Sequence, residues 1–482
     1  LRTLVAFVAL AAALGSTGCV VATLSSVGAG YTAKVACSLA WNSGENVDDL
    51  LHGYIQPEAA PLGSLLGVRK TPDGAEGRAF GGLVRARAIH RPGLGCTLLR
   101  DATAESLAQP DGVDAAREPL PAGAPWPRGA AAPTDPAPAA ISAAIDRAFA
   151  EPVPANGRVR HTTAIVVAHD GRLVADRYAS GYGPETPMLS WSMAKSVTAA
   201  LVGIEIGDGR LVLQAPAPVP EWSSPDDPRR AITLDQLMRM SSGLEFGESF
   251  GPVDDLPRML FQYGDVGAYA AAKKLAAPPD TVWSYSSGTA NIVARILREL
   301  HGNDLGALVR FSRERLFDAA GMSSAFFEPD ASGTFIGSSF AFMTARDWAR
   351  FGELHRQDGV WFGRRILPEG WVRYVTTPTP LAPDGRYGAH FWLNAGDPSD
   401  PSRRPWPKLP TDTYAAAGHS GQYVFVVPSA KLVVVRLGLS LPDDGKEGAE
   451  DLVADVIAAI EGQTAFARAA SGSVSPPGFA GP

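Results

Sequence analysis

The chain has 482 residues, 45% of them hydrophobic and 19% charged, with 51 glycines and 40 prolines. That composition describes a loop-rich globular protein with ample length for a large core, not a helical array or a disordered chain. A net charge of −7 with both signs well mixed excludes the basic face on which a nucleic-acid binder relies.

The N-terminal stretch places Arg2 before an apolar run from Leu4 to Leu14, then the small residues Gly15 to Gly18 and Cys19. A basic start, a short apolar core and a small-residue exit describe a secretory leader over 1–19, and the run is too short to span a bilayer. The expectation is an exported protein, periplasmic or tied to the bacterial envelope. Thr17-Gly18-Cys19 resembles the end of a lipoprotein signal, in which the cysteine is lipidated. Ser16 stands where such signals usually carry Leu, so a lipid anchor on Cys19, the one membrane attachment the sequence offers, stays open. With Cys19 removed or lipidated, Cys37 and Cys96 remain, and an oxidising compartment favours a disulfide between them over two buried thiols.

Residues 20–117 show no catalytic pattern. Gly28-Ala29-Gly30-Tyr31-Thr32-Ala33 has the spacing of a dinucleotide fingerprint, but no strand precedes it, and the match reads as chance. The segment 118–140 is rich in Pro and Ala and reads as a linker or surface strap, with Trp126 as an anchor. A domain over 141–463 then opens on a helix, since Ile141, Ile145, Ala148 and Phe149 recur at helical spacing. Thr162–Ala168 and Arg172–Tyr178 flank Asp170-Gly171 and predict a β-hairpin. A second hairpin is expected from Tyr423–Val427 and Lys431–Leu437, covered by a helix with Leu452, Val453, Val456, Ile457 and Ile460 on one face. Strands at both ends with helices between them predict an α+β fold, an antiparallel sheet flanked by helices plus a mostly helical subdomain. The tail 464–482 is expected to be disordered.

Ser192-Met193-Ala194-Lys195 brings a hydroxyl and an amine to one helix face. A serine is a weak nucleophile until a neighbouring base takes its proton, and a lysine kept neutral by burial can be that base. The helix continues Ala199-Ala200-Leu201-Val202-Gly203-Ile204, so it is expected to be buried, and a lysine at its start needs a partner or a function.

Four blocks occur in order: Ser192-Met193-Ala194-Lys195 with Asp208-Gly209-Arg210-Leu211; Ile232 to Leu244, including Met240-Ser241-Ser242-Gly243; Trp283-Ser284-Tyr285-Ser286-Ser287-Gly288; and Gly418-His419-Ser420-Gly421-Gln422. From about Ala140 to Gln463 the chain resembles the class C β-lactamase-like serine hydrolases. That superfamily includes penicillin-binding proteins, SxxK esterases and 6-aminohexanoate-dimer hydrolases. The resemblance implies a β-lactamase/transpeptidase-like fold, Ser192 as nucleophile, Lys195 as its partner and Tyr285 as a proton relay, either phenol or phenolate. It implies that His419-Ser420-Gly421 is a strand lining the site, with Ser287 also at the substrate, and that the N–H groups of Ser192 and Gln422 form the oxyanion hole. No cofactor and no metal are implied.

Two positions depart from the β-lactamase pattern. Ser287 replaces an asparagine and His419 a lysine, which looks more like the esterase and 6-aminohexanoate-dimer hydrolase branch. A largely neutral imidazole would hold a penicillin carboxylate less well than an ammonium. The expected reaction is hydrolysis of a small ester or amide through an acyl-enzyme. The rivals are a β-lactamase or D-alanyl-D-alanine peptidase, and a non-catalytic envelope binding protein. Asp235, Glu245, Asp254, Asp255 and Asp330 are read as capping or solvated rather than substrate-binding. The oligomeric state is left open.

Overall fold

The computed structural model describes residues 2–107, 109–113, 120–133, 135–152, 158–251, 253–396, 400–445 and 447–471. Helix α1 (Arg2–Asn42) runs through the expected leader without a break. Among the residues whose burial is described, Ser25 is its first buried one, and Val27, Ala29, Ala33, Val35, Cys37 and Leu39 are all buried. They lie on an antiparallel sheet of β1 (Leu66–Thr71), β2 (Gly74–Ala79), β3 (Val84–Arg91) and β4 (Gly95–Leu98), in that order. A Cβ on Gly77 would collide with the α1 backbone at Ala29 and Ala33, and one on Gly30 with the carbonyl of Phe261. The glycine pattern in α1 thus serves close packing, and the structure joins Cys37 to Cys96 by a disulfide between α1 and β4.

This N-terminal module is fused to the rest of the chain. Glu328 accepts from Lys34 Nζ at 2.6 Å, Ser38 Oγ at 2.7 Å, Asn42 Nδ2 at 2.7 Å and the Cys96 N–H at 2.6 Å. Lys34 and Glu328 are wholly buried, so each charge depends on the other. One apolar core runs without interruption from Val27 to Leu439.

The Pro/Ala-rich segment is a strap. Trp126 is buried and donates to the Arg346 carbonyl at 3.3 Å. Arg350 reaches back to the carbonyls of Pro127 and Gly129 at 3.0 and 2.7 Å.

Helix α2 (Ala139–Phe149) leads to β5 (Thr162–His169) and β6 (Arg172–Tyr178), turned at Asp170-Gly171 as expected. After α3 (Met193–Gly207) come the short helices of the helical subdomain, then α4 (Ser287–Leu300) and α5 (Ala345–Arg356). The sheet is completed by β7 (Trp392–Leu393), β8 (Tyr414–Gly418), β9 (Gln422–Val427) and β10 (Leu432–Gly438), in the order β7-β8-β9-β10-β5-β6, every pairing antiparallel.

Both sheet faces are covered, which explains unbroken apolar runs such as Leu432 to Val435. Val433 and Val435 face α5, while Leu432 and Val434 face α2 and α6 (Ala449–Ser471). Helix α6 extends into the segment expected to be a disordered tail, and the remainder of that tail lies outside the described residues. Among the described residues no helix is long and apolar enough to cross a membrane.

Candidate active site

Trp191, at φ 43° in the left-handed region, makes the tight turn that delivers Ser192 to the start of α3. A non-glycine residue held there stores of order 1–3 kcal/mol of strain. Every residue of α3 from Met193 to Glu205 is buried, so the amine of Lys195 is carried into the protein one turn below Ser192. Its Nζ lies 3.1 Å from Ser192 Oγ, 2.9 Å from Ser287 Oγ and 3.1 Å from the Ser338 carbonyl. Loss of hydration pulls its pKa down to about 8, with Glu248 opposing the fall. A neutral amine donates twice, to Ser287 and the Ser338 carbonyl, and has a lone pair left for the Ser192 proton.

Glu248 is one of the residues that sequence reasoning missed. Its carboxylate accepts from the Ser287 N–H at 2.7 Å and from Ser287 Oγ at 2.6 Å, at the N-terminus of α4. Desolvation raises its pKa, while Lys195 and the Ser287 hydrogen bonds pull it back. Ser287 therefore joins Lys195 to Glu248 in one chain of hydrogen bonds, a role distinct from the expected contact with substrate alone. The nearby Glu245 is exposed and absent from the cleft wall. Asp235 and Asp255 accept from Arg239 and the Gly247 N–H, Asp254 stands at a helix N-terminus without a side-chain cap bond, and Asp330 is buried and accepts from the Val266 N–H.

Tyr285 lines the cleft together with Ser192. Its ring packs against Tyr387 and Trp392, with centroids 5.6 and 5.3 Å away, and Lys195 Nζ lies 4.7 Å over its face. Burial and the neighbouring Glu248 push its pKa far above the ordinary range, so of the two expected forms the phenol is the one present. These groups open onto a cleft of about 480 Å³ whose wall includes Trp191, Ser192, Glu248, Phe250, Tyr285, Ser287 and His419.

The fourth block is arranged differently from expectation. His419-Ser420-Gly421 is a turn between β8 and β9, with Ser420 and Gly421 at φ 60° and 80°, and not part of a strand. Only His419 of the three lines the cleft. Ser420 Oγ is buried against Tyr54 Oη at 2.9 Å, and the Gly421 carbonyl accepts from Arg436 at 2.7 Å. Gln422 also lies outside the cleft wall, at the start of β9 beyond the turn, and its side-chain carboxamide bonds to Gly438 and to the carbonyls of the turn. The strand residue pressed against the nucleophile is Gly418, where a Cβ would collide with the Ser190 carbonyl and sit 3.0 Å from the Ser192 nitrogen.

The His419 side chain is 7% exposed and faces two carboxylates, Asp443 at 2.6 Å from Nδ1 and Glu58 at 2.8 Å from Nε2. Desolvation works against protonation, but the two carboxylates outweigh it and raise the pKa to about 9. The expectation of a largely neutral imidazole is thus wrong. The ring is cationic, and its charge is more than balanced by its two partners.

The family model for beta-lactamase matches residues 145–458. The chain belongs to the beta-lactamase family. Its curated relatives include a 6-aminohexanoate-dimer hydrolase from Paenarthrobacter ureafaciens, 25% identical over 318 residues, 58% of this chain and 73% of that one. Among solved structures, a Bacillus anthracis protein named as a candidate 6-aminohexanoate-dimer hydrolase superposes with TM-score 0.53 at 24% identity, covering 63% and 80% of the two chains. EstCE1, a hydrolase with promiscuous acyltransferase activity, superposes with TM-score 0.53 at 14% identity, covering 67% and 98%. These likenesses confirm the β-lactamase-like fold and the hydrolase family. The matched residues 145–458 begin after the N-terminal module that supplies Tyr54 and Glu58.

Proposed function

We propose that the protein is an exported serine hydrolase that cleaves an ester or amide of a small molecule through an acyl-enzyme on Ser192, as a carboxylesterase or an amidase of the 6-aminohexanoate-oligomer type. The observation that carries this reading is the buried Lys195 amine, depressed to about 8 and 3.1 Å from Ser192 Oγ. Neutral Lys195 accepts the Ser192 proton as Oγ bonds to the substrate's carbonyl carbon. The oxyanion forms at the Ser192 N–H and the adjacent His419 N–H, which replaces Gln422 in this role because Gly418 brings the start of the turn to the nucleophile. The tetrahedral adduct then collapses. The leaving oxygen or nitrogen takes the Tyr285 proton, which the Lys195 ammonium replaces. Water, deprotonated by the same pair, releases the acid and returns the proton to Ser192.

The cleft rim disfavours substrates that carry a carboxylate close to the scissile bond, as a penicillin does. Asp443, Glu447 and Glu450 line it, and His419 is already matched by Glu58 and Asp443, so a penicillin carboxylate meets little uncompensated positive charge. Export is supported by the Cys37–Cys96 disulfide, which persists in oxidising compartments. The deciding experiment is intact mass after a fluorophosphonate probe, on wild type and Ser192→Ala, beside p-nitrophenyl ester and nitrocefin turnover. One adduct and ester hydrolysis, both lost in the variant, would uphold the reading. Rapid nitrocefin turnover would favour the β-lactamase rival, and a folded wild type without adduct the non-catalytic one.

A further inference from the structure

Beside the catalytic cleft lies a second cavity, of about 170 Å³, between the N-terminal module and the subdomain that carries Phe261. Its wall is almost wholly apolar, drawn from α1 (Leu24, Val27), the segment Ala59 to Leu66, and Phe250. Leu62, Leu65 and Phe250 are 41%, 38% and 46% exposed, large apolar side chains that converge on one opening instead of being scattered. Tyr31 also lines it, 8% exposed, with a hydroxyl that has no hydrogen-bond partner.

Two connections join this cavity to the catalytic centre. Phe250 belongs to both walls, and its ring lies 4.4 Å from that of His419. Glu58, in the wall of the apolar cavity, holds His419 in the wall of the cleft. Around Ser192, the proton donor Tyr285 stands among Tyr387 and Trp392, so the leaving group departs on that side. The acyl chain is then directed to the other side, past Trp191 to Phe250, whose rings lie 6.5 Å apart.

We propose that this cavity seats the apolar chain of the substrate's acyl group, making the N-terminal module a specificity element of the enzyme. The proposal rests on the ester or amide reading above. A dry apolar cavity of about 150 Å³ accepts a benzene ring, so this one takes about six carbons. The fitting acyl group is an unbranched chain that fills this volume beyond Phe250 and is therefore longer than about six carbons, and each methylene buried favours it roughly fourfold.

The test compares p-nitrophenyl acetate, butyrate and octanoate on wild type and on Ala59→Trp, which fills the cavity from its wall. In wild type kcat/KM is expected to rise at least tenfold from acetate to octanoate, and in A59W the octanoate-to-acetate ratio is expected to fall at least tenfold. Equal ratios in the two proteins overturn the proposal. So does a chain-length gain seen only in the alcohol part, with alkyl acetates as substrates. A second measurement uses Ser192→Ala, titrating acetamide and octanamide against tryptophan fluorescence. Tighter octanamide binding that A59W abolishes upholds the cavity even where no ester is turned over, and in that case only the nucleophile reading fails. Equal binding of the two amides overturns the cavity.

Discussion

Glu58 accepts a hydrogen bond from His419 Nε2 at 2.8 Å across 361 residues of sequence, tying the N-terminal module to the turn beside the nucleophile. With Asp443 on Nδ1, the ring can donate to both partners only as an imidazolium.

That pair predicts a pH-dependent stability. The folded pKa of about 9 lies above the unfolded value near 6.5, so the stabilisation is fully present below about pH 6.5 and is lost as pH rises through about 9. The loss is at most about 3 kcal/mol. Lys195, depressed to about 8, acts in the opposite sense between about pH 8 and 10.5, so the informative quantity is the difference between wild type and His419→Gln. Urea denaturation at pH 6.5, 8 and 9.5 should show that difference shrinking with pH. A constant difference would mean that the ring is not held as a cation.

Glu248→Gln should shift the acid limb of kcat/KM to lower pH. Glu248 is the charge that opposes the depression of Lys195, so without it the amine loses its proton more readily. The carboxamide oxygen of the variant can still accept from the Ser287 N–H, which keeps α4 in place. A fall in kcat/KM with an unmoved pH profile would indicate a purely structural role for this carboxylate.

Tyr285→Phe keeps the ring against Tyr387 and Trp392 and removes only the proton. An amine leaving group needs that proton, whereas p-nitrophenolate departs without it. Amide turnover should fall by about 10²–10³ and p-nitrophenyl ester turnover by much less. Equal losses on both substrates would place the phenol elsewhere in the mechanism.

The two hairpins, the Ser192–Lys195 pair and Tyr285 were legible because each depends on local sequence: apolar runs flanking a turn, an i to i+3 helix face, a motif block. What escaped depends on contacts distant in sequence. The N-terminal sheet was missed because α1 lies so close that its inner positions carry Ala and Gly, as at Ala75, Gly77, Ala86 and Ala88, where a strand usually shows branched residues. Glu248 and Glu58 look like surface carboxylates until the chain brings Ser287 and His419 to them. The family position carried to Gln422 lies beyond a turn at Ser420 and Gly421 whose geometry only the structure supplies. One signal was available: Glu248 follows the Ser242-Gly243 block by a few residues, close enough for the same loop to reach the site.

The continuity of the core across the N-terminal module makes the Cys37–Cys96 disulfide a determinant of the whole molecule. It closes a sequence separation of 59 residues, which in the chain-entropy account corresponds to about 4 kcal/mol. Reduction, or Cys37→Ser with Cys96→Ser, should lower stability by about 2–4 kcal/mol. Because Lys34 and Ser38 on the same helix bind Glu328, loosening α1 exposes a buried charge in the main body and cannot remain local. Thermal unfolding should therefore stay a single transition that moves to lower temperature, with Glu58 and His419 separating in the same step. Two resolved transitions, the first sensitive to reductant and the second not, would show instead that the module folds by itself and only leans on the catalytic body.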